Sequence, residues 1–334
     1  MNRKISFIGK KLFQYVLVLF VATTINFGLP RLAPGDPLLY FFDESTIKEL
    51  TSEQKQAVLE SVGLGGSLWE QYINYLVGIL QWDFGDSIKY AKPVTEIIAD
   101  KLPWTLTLVF PALILSTIIG IVIGAYSAWN RGKNRDMALL TSMLTFQAVP
   151  GFWLGMLFIA IFAVNFGWFP TYGAVSIVQD GTTVGYLKDV LWHLVLPICT
   201  LSLATVGSHY LLTRSSMLES LGQDYITMAE AKGVSKKTLI FNHGLRNALL
   251  PIYTQFTMAL GTLIGGSVVI ETVFSYPGIG SLLYESVTAR DFPMMQGIFL
   301  IITLGVIAAN IFADLTYPLI DPRAKSTSTK KEGH

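Results

Sequence analysis

The chain has 334 residues, 51% of them hydrophobic and 14% charged, with a formal net charge of +1. Soluble domains carry about 25% charged residues, so water is not its main solvent. The single cysteine, Cys199, excludes an intramolecular disulfide and a thiolate metal cluster, and its apolar surroundings make it a packing residue. The apolar residues gather into runs of about 18–29 residues, long enough at about 1.5 Å per residue to cross a ~30 Å hydrocarbon layer.

The first run, 12–29, follows Arg3, Lys4, Lys10 and Lys11, as the core of a signal peptide would. It exceeds the roughly 7–15 residues of a signal core and no small-x-small cleavage site follows, so a retained anchor helix is expected. Residues 30–103 form a polar interlude with two helix-like pieces, 45–62 and 68–80, separated by Gly63, Gly65 and Gly66. This stretch is expected to be an extramembrane subdomain. Further apolar runs at 104–128, 139–167, 191–213, 251–275 and 293–318 bring the predicted spans to six, with Pro150 and Pro197 read as kinks or short re-entry breaks.

Basic residues orient the chain, because cytoplasmic loops carry the excess of Lys and Arg. A cytoplasmic N-terminus places sixteen of the 24 inside: Arg3, Lys4, Lys10 and Lys11; Arg131, Lys133 and Arg135; Arg214, Lys232, Lys236, Lys237 and Arg246; Arg323, Lys325, Lys330 and Lys331. The outside length is dominated by acids such as Asp43, Glu44, Glu49, Glu53 and Glu60. Both termini are therefore expected in the cytoplasm. Trp104, Trp129, Trp168 and Trp192 fall at predicted helix ends, the depth that amphipathic rings prefer.

Several chemistries find no support. No GxxxxGK(S/T) loop is present to cradle nucleotide phosphates, and there is no HExxH or G-x-S-x-G. Ser220-Leu221-Gly222-Gln223 and Asp83-Phe84-Gly85 match ATPase and kinase strings only by coincidence. His193 and His209 lie about 160° apart around one predicted helix, too far for a shared metal site. Buried carboxylates would suggest ion coupling, but Asp314 and Glu271 lie near helix ends, where interfacial solvation accounts for them.

The inside loop 214–250 is the most informative stretch. Asp224 is placed to cap a short helix, 225–232, and Gly233 to end it in a left-handed conformation. Ser235 can then cap a second helix leading toward Pro251. Lys236 and Lys237 suit its first turn poorly on helix-dipole grounds, and membrane orientation is the reason to keep them.

At these residues the sequence resembles a known family. Glu230-Ala231-Lys232-Gly233, Asn247-Ala248 and Leu250-Pro251 are similar to the EAA loop of ABC importer permeases, although Ala229-Glu230-Ala231-Lys232 keeps only the centre of a strict Glu-Ala-Ala string. Nearly the whole chain resembles the first of the two permeases in dipeptide, oligopeptide and nickel importers. The resemblance runs through Pro34-Gly35-Asp36-Pro37, Asp83-Phe84-Gly85 with Ser87, and Pro150 with Gly155. It continues in Glu271-Thr272-Val273-Phe274 with Pro277-Gly278 and Gly280, in Arg290-Asp291 with Pro293, and in Asp314, Tyr317 and Asp321-Pro322-Arg323.

The resemblance implies an all-α type I ABC importer permease fold with six transmembrane helices and an extracytoplasmic subdomain. Its parts would be a tail and first helix at 1–29, the subdomain 30–103, a permease core 104–318 and a cytoplasmic tail 319–334. It also implies a multi-pass inner or plasma membrane protein without catalysis or cofactor, partnered by a second permease, two ATP-binding subunits, an extracytoplasmic substrate-binding protein, the bilayer and a transported peptide, with no nucleic acid. Nickel or another small ligand is the alternative cargo. A self-contained secondary transporter would need internal repeats and midplane coupling residues, and an intramembrane enzyme would need a nucleophile or metal set. Neither is evident. The ATPase-coupling residues expected from the loop are Asp224, Tyr225, Met228, Ala229, Glu230, Ala231, Lys232 and Gly233, with Tyr225 and Met228 filling apolar gaps in the partner and Glu230 and Lys232 fixing orientation.

Overall fold

A computed structural model describes residues 2–32, 38, 42–61, 64–178 and 181–320. The motif strings at 34–37 and 321–323 and most of the expected cytoplasmic tail lie outside the described residues, as do the side chains of Arg3, Lys4, Lys10 and Lys237.

Among the described residues the regular structure is helical, joined by turns and loops, with one isolated bridge between Asp86 and Pro93. In chain order the helices are α1 (Asn2–Leu32), α2 (Glu44–Glu49), α3 (Ser52–Ser61), α4 (Leu68–Gln81), α5 (Val94–Trp129), α6 (Asn134–Ala148) and α7 (Gly151–Phe158). Then come α8 (Thr183–Leu221), α9 (Asp224–Ala231), α10 (Lys236–Thr238), α11 (Arg246–Gly266), α12 (Val268–Val273), α13 (Ile279–Thr288) and α14 (Phe292–Ile320). α7 continues as a π-helix over Ile159–Asn165, and α10 leads through a second one, Leu239–Leu245, into α11.

Local chemistry sets the boundaries. The expected helix 45–62 is split in two because Asp43 caps α2 through the Thr46 amide, and Thr51 and Gln54 then form a reciprocal capping box that starts α3 afresh. Ser67 and Glu70 make a second such box at α4. α5 begins ten residues before the expected start at 104, so the polar interlude ends in helix rather than loop.

Among the described residues, four helices are long and apolar enough to cross a membrane: Lys11–Leu29, Val94–Trp129, Thr183–Leu221 and Phe292–Tyr317. A fifth crossing results if α6 and α7, bent by 97° at Val149 and Pro150, form one broken span. The expected span 251–275 is interrupted at Ser267 and carries Thr254, Gln255 and Thr257 in its first half, and it is not among these four or five.

Two compact units are present. One comprises Met1–Thr105 with Pro277–Ile307, and the other Leu106–Tyr276 with Ala308–His334. In the first, Val94 and Ile98 at the start of α5 pack with Ile279 and Leu282 of α13 and with Met294 and Ile298 of α14. α4 lies along α1, where Tyr72 donates to or accepts from Thr24 at 2.8 Å and its ring meets Phe27 edge-on at 5.1 Å.

The second unit is built on a close crossing of α5 and α8. Gly120 and Gly124, four residues apart, leave no room for side chains: a Cβ at Gly120 would lie 2.5 Å from that of His209, and one at Gly124 2.7 Å from that of Thr213. Small residues at this spacing let backbones approach where no hydrophobic drive from water exists.

Candidate functional site

Of the expected loop 214–250, residues 214–221 continue α8; the rest forms α9 and then a continuous run of α10, the π-helix and the start of α11, close to the two helices its sequence suggests, with a shift in the first. α9 runs Asp224–Ala231 rather than 225–232, and its N-cap is Gln223, whose side chain makes no capping bond. Asp224 therefore sits one position inside, in the first turn, where its charge still favours the positive helix end.

The C-terminal end follows the expected geometry. Gly233 has φ +76, its amide donates to the Glu230 carbonyl at 2.9 Å, and the Val234 amide donates to Ala229 at 3.2 Å. These two bonds make a Schellman motif, which needs a left-handed residue between them. Ser235 then caps α10 by accepting from the Thr238 amide.

α9 is held at one end and open along its length. Ile226 is its buried residue, whereas Met228, Glu230 and Ala231 are exposed and Ala229 is half-buried. Tyr225 is exposed along its ring, but its hydroxyl is engaged within the chain. Its hydroxyl accepts from Asn247 Nδ2 at 2.6 Å and shares a 3.0 Å hydrogen bond with Ser220, so it ties α9 to both α8 and α11. Asn247 is thereby given a role, and its neighbour Ala248 is buried with Ala125, Met217 and Ile252. Beside α9 a cleft of about 280 Å³ opens between Ala128, Trp129 and Arg131 at the end of α5 and Ile226 and Glu230.

A buried ion pair supports this end of the unit, and sequence reasoning missed it. Asp136, in the first turn of α6, accepts from Arg214 Nε and Nη2 at 2.8 and 2.9 Å, from Ser127 Oγ at 2.5 Å and from the Gly132 amide at 3.1 Å. Tyr210 shares a 2.7 Å hydrogen bond with Ser127. Arg214 registered in the sequence only as an inside charge. The one available signal was an acid among the basic residues 131–135, where positive-inside counting ignores carboxylates.

In the other unit, motif residues more than 190 positions apart come together. Asp291 is fully buried at the N-terminus of α14, where it accepts from the Met294 amide, from Ser87 Oγ at 2.5 Å and from the Lys89 amide at 3.1 Å. Asp83 closes its own turn by accepting from the Gly85 amide. Nearby, Glu285 accepts from Lys89 Nζ and the Tyr90 hydroxyl, both at 2.5 Å. Burial pushes the Glu285 carboxyl up, but these two donors outweigh it and hold it below its usual range. The same bond to Glu285 raises Lys89.

Glu271 departs from expectation. It is fully buried and accepts from Ser267 Oγ at 2.8 Å, so interfacial solvation does not account for it. His193 bonds the Asp189 carbonyl, and His209 is buried where α8 passes Gly120. Cys199 lines an apolar cavity of about 520 Å³ with Met143, Phe162 and Trp168. Asp314 is exposed near the end of α14.

Four long apolar helices, with a bent pair that can make a fifth crossing, define a multi-pass membrane protein. Residues 120–326 match the family described as binding-protein-dependent transport system inner membrane component, and residues 4–109 match its N-terminal region. The chain belongs to this family. It is a permease subunit of the inner membrane, and its work is transport rather than catalysis.

Relatives match along almost their whole length. The oligopeptide transport system permease protein AppB of Bacillus subtilis is 35% identical over 95% of this chain and 98% of its own. The di/tripeptide permease DppB of Pseudomonas aeruginosa is 34% identical over 96% and 99%. The dipeptide permease DppB of Escherichia coli K12 is 32% identical over 96% and 99%. Among solved structures, a chain of the inward-facing MetNI methionine ABC transporter superposes with a TM-score of 0.55 at 16% identity, covering 67% of this chain and 96% of that one, a likeness of fold alone.

Proposed function

We propose that this chain is one of two permeases in an ATP-driven importer of di- or oligopeptides, and that α9 seats in a groove of an ATPase subunit. The peptide cargo is supported by the names of the full-length relatives. The coupling role is carried by one observation: α9 is fixed to α8 and α11 through Tyr225 while Met228, Glu230 and Ala231 are left uncovered. A helix locked at one end and bare along its side transmits a push to a partner as a rigid rod. The partners are a second permease, two ATP-binding subunits and an extracytoplasmic binding protein.

The full architecture is six spans with both termini cytoplasmic. The sixth crossing is α11 with α12, a span interrupted at Ser267, an irregularity that membrane helices tolerate where protein lines the break. The division is a first span, an extracytoplasmic stretch, a permease core from 104 to 318 and a cytoplasmic tail.

Two variants test the coupling. Ala231 is exposed, so Ala231→Trp leaves the chain's own packing intact. A Cβ at Gly233 meets nothing within 4 Å, so Gly233→Val acts only through the backbone, at a cost of about 1–2 kcal/mol. Both should insert normally yet lose peptide uptake and ATPase association; unchanged assembly and uptake in both refutes the assignment. For orientation, a cysteine at exposed Ser45 should react with an impermeant thiol reagent from outside and one at Ser235 should not. Uptake of nickel without peptide uptake overturns the cargo.

A further inference from the structure

Residues 30–103 read from sequence as wholly extramembrane, yet α4 packs against the end of the apolar span in α1. Its partners on α1 are Thr24, Phe27 and Arg31. Thr24 and Phe27 belong to the last two turns of the apolar span Lys11–Leu29, and Arg31 follows it by two residues. At about 1.5 Å per residue these three contacts cover ~10 Å of α1, ending at the boundary of the hydrocarbon.

The rest of the α4 surface divides by chemistry. At about 100° per residue, Trp69, Leu80, Ile73 and Val77 fall within a strip roughly 80° wide. All four are exposed, Leu80 at 83% and Trp69 at 69%. Glu70, Gln81 and Asn74 are also exposed and occupy the next ~40° of the helix. Thus one side grips α1, the adjoining strip is bare and apolar, and a narrow polar edge completes the circle. On α1 itself, Val21, Ile25 and Leu29 are likewise exposed and belong to the apolar span. Trp82, immediately after α4, is a second exposed ring.

We infer that α4 is an interfacial helix that lies at the headgroup boundary, its strip Trp69, Ile73, Val77 and Leu80 set against lipid tails and its edge Glu70, Asn74 and Gln81 turned to water. An amphipathic helix with aromatic and aliphatic residues on one side binds a bilayer in this manner. The embedding rests on α1 crossing the membrane; only the assignment to the outer leaflet rests on the orientation proposed above. For an importer, such a helix would leave the polar edge, rather than the whole stretch, available to other proteins.

The test uses the full-length chain in its transporter complex, with Cys199 replaced by serine and reconstituted in lipid nanodiscs. Single nitroxide labels are placed at Ile73, Val77 and Leu80 and at Glu70, Asn74 and Gln81, and relaxation by oxygen is compared with relaxation by a water-soluble nickel chelate. Oxygen should dominate at the first three and the nickel chelate at the second three. Nickel access at all six makes α4 a solvated cap and overturns the inference. Exclusion of both reagents from the first three reveals a protein cover and overturns it equally. Trp69→Phe, which preserves an apolar ring and any fold that depends on it, provides a background in which the pattern should persist.

Discussion

Asp136 and Arg214, 78 positions apart, meet through two parallel hydrogen bonds, Nε to Oδ1 at 2.8 Å and Nη2 to Oδ2 at 2.9 Å. The carboxylate is nearly buried and the guanidinium retains 20% exposure. Breaking such a pair is costly because the survivor is left without its partner in a dry site. Asp136→Asn should destabilise the unit by roughly 3 kcal/mol, the lower end for buried pairs because Arg214 keeps some water. Arg214→Lys keeps the charge but loses the paired geometry and should cost about 1 kcal/mol. Thermal denaturation of the purified complex, with amide exchange over 127–136, checks the order of the two.

Tyr225→Phe removes the hydroxyl shared with Ser220 and Asn247 while leaving the ring. The expected loss is about 1 kcal/mol locally, seen as faster amide exchange in α9 and unchanged exchange in α5. Asn247→Ala should do the same. Equal exchange across the whole unit for either variant would mean that the tie is not specific to α9.

Ser87 and Asp291 join a turn to the start of α14. Ser87→Ala forfeits a bond to a buried carboxylate and the acceptor for the Tyr90 amide, and should cost about 1–2 kcal/mol. Asp291→Asn is worse, because an amide NH₂ on the Oδ2 side would face the donors Ser87 Oγ and Lys89 N–H; roughly 2–3 kcal/mol is expected. Reversing the labels, so that Ser87→Ala exceeds Asp291→Asn in denaturation, would show that the carboxylate is not the centre of the joint.

The Lys89 and Glu285 pair gives a pH dependence of known sign. Glu285 is held below its ordinary 4.5, so its contribution is complete above that value and is lost as pH falls through the lowered one. Lys89 is raised above 10.5, so its share is complete below 10.5 and is lost only on passing the raised value. Between pH 6 and pH 9 the pair is therefore constant. The stability difference between wild type and Glu285→Gln should be under about 1 kcal/mol, since half-exposed pairs are screened, flat across that window, and vanish in acid. A difference that grows in acid would contradict the pairing.

The sequence by itself determined the solvent, the class and much of the short-range structure. Runs of apolar residues at membrane length follow from the cost of leaving backbone groups unpaired in hydrocarbon, which leaves helices as the available solution. Gly233 and Ser235 mark their turns because a left-handed residue and a capping hydroxyl act within a few positions. Tertiary structure alone decided which distant groups meet. Nothing at position 136 signals Arg214, nothing at 87 signals Asp291, and nothing at 225 signals Asn247, because those bonds depend on how helices pack. It also moved Asp224 inside its helix, buried Glu271, divided the span at Ser267 and set α4 beside the end of α1. The burial of Glu271 and the seat of α4 turn on which side of a helix finds a protein neighbour, and periodicity in an all-apolar segment does not encode that when lipid and protein interior are equally greasy.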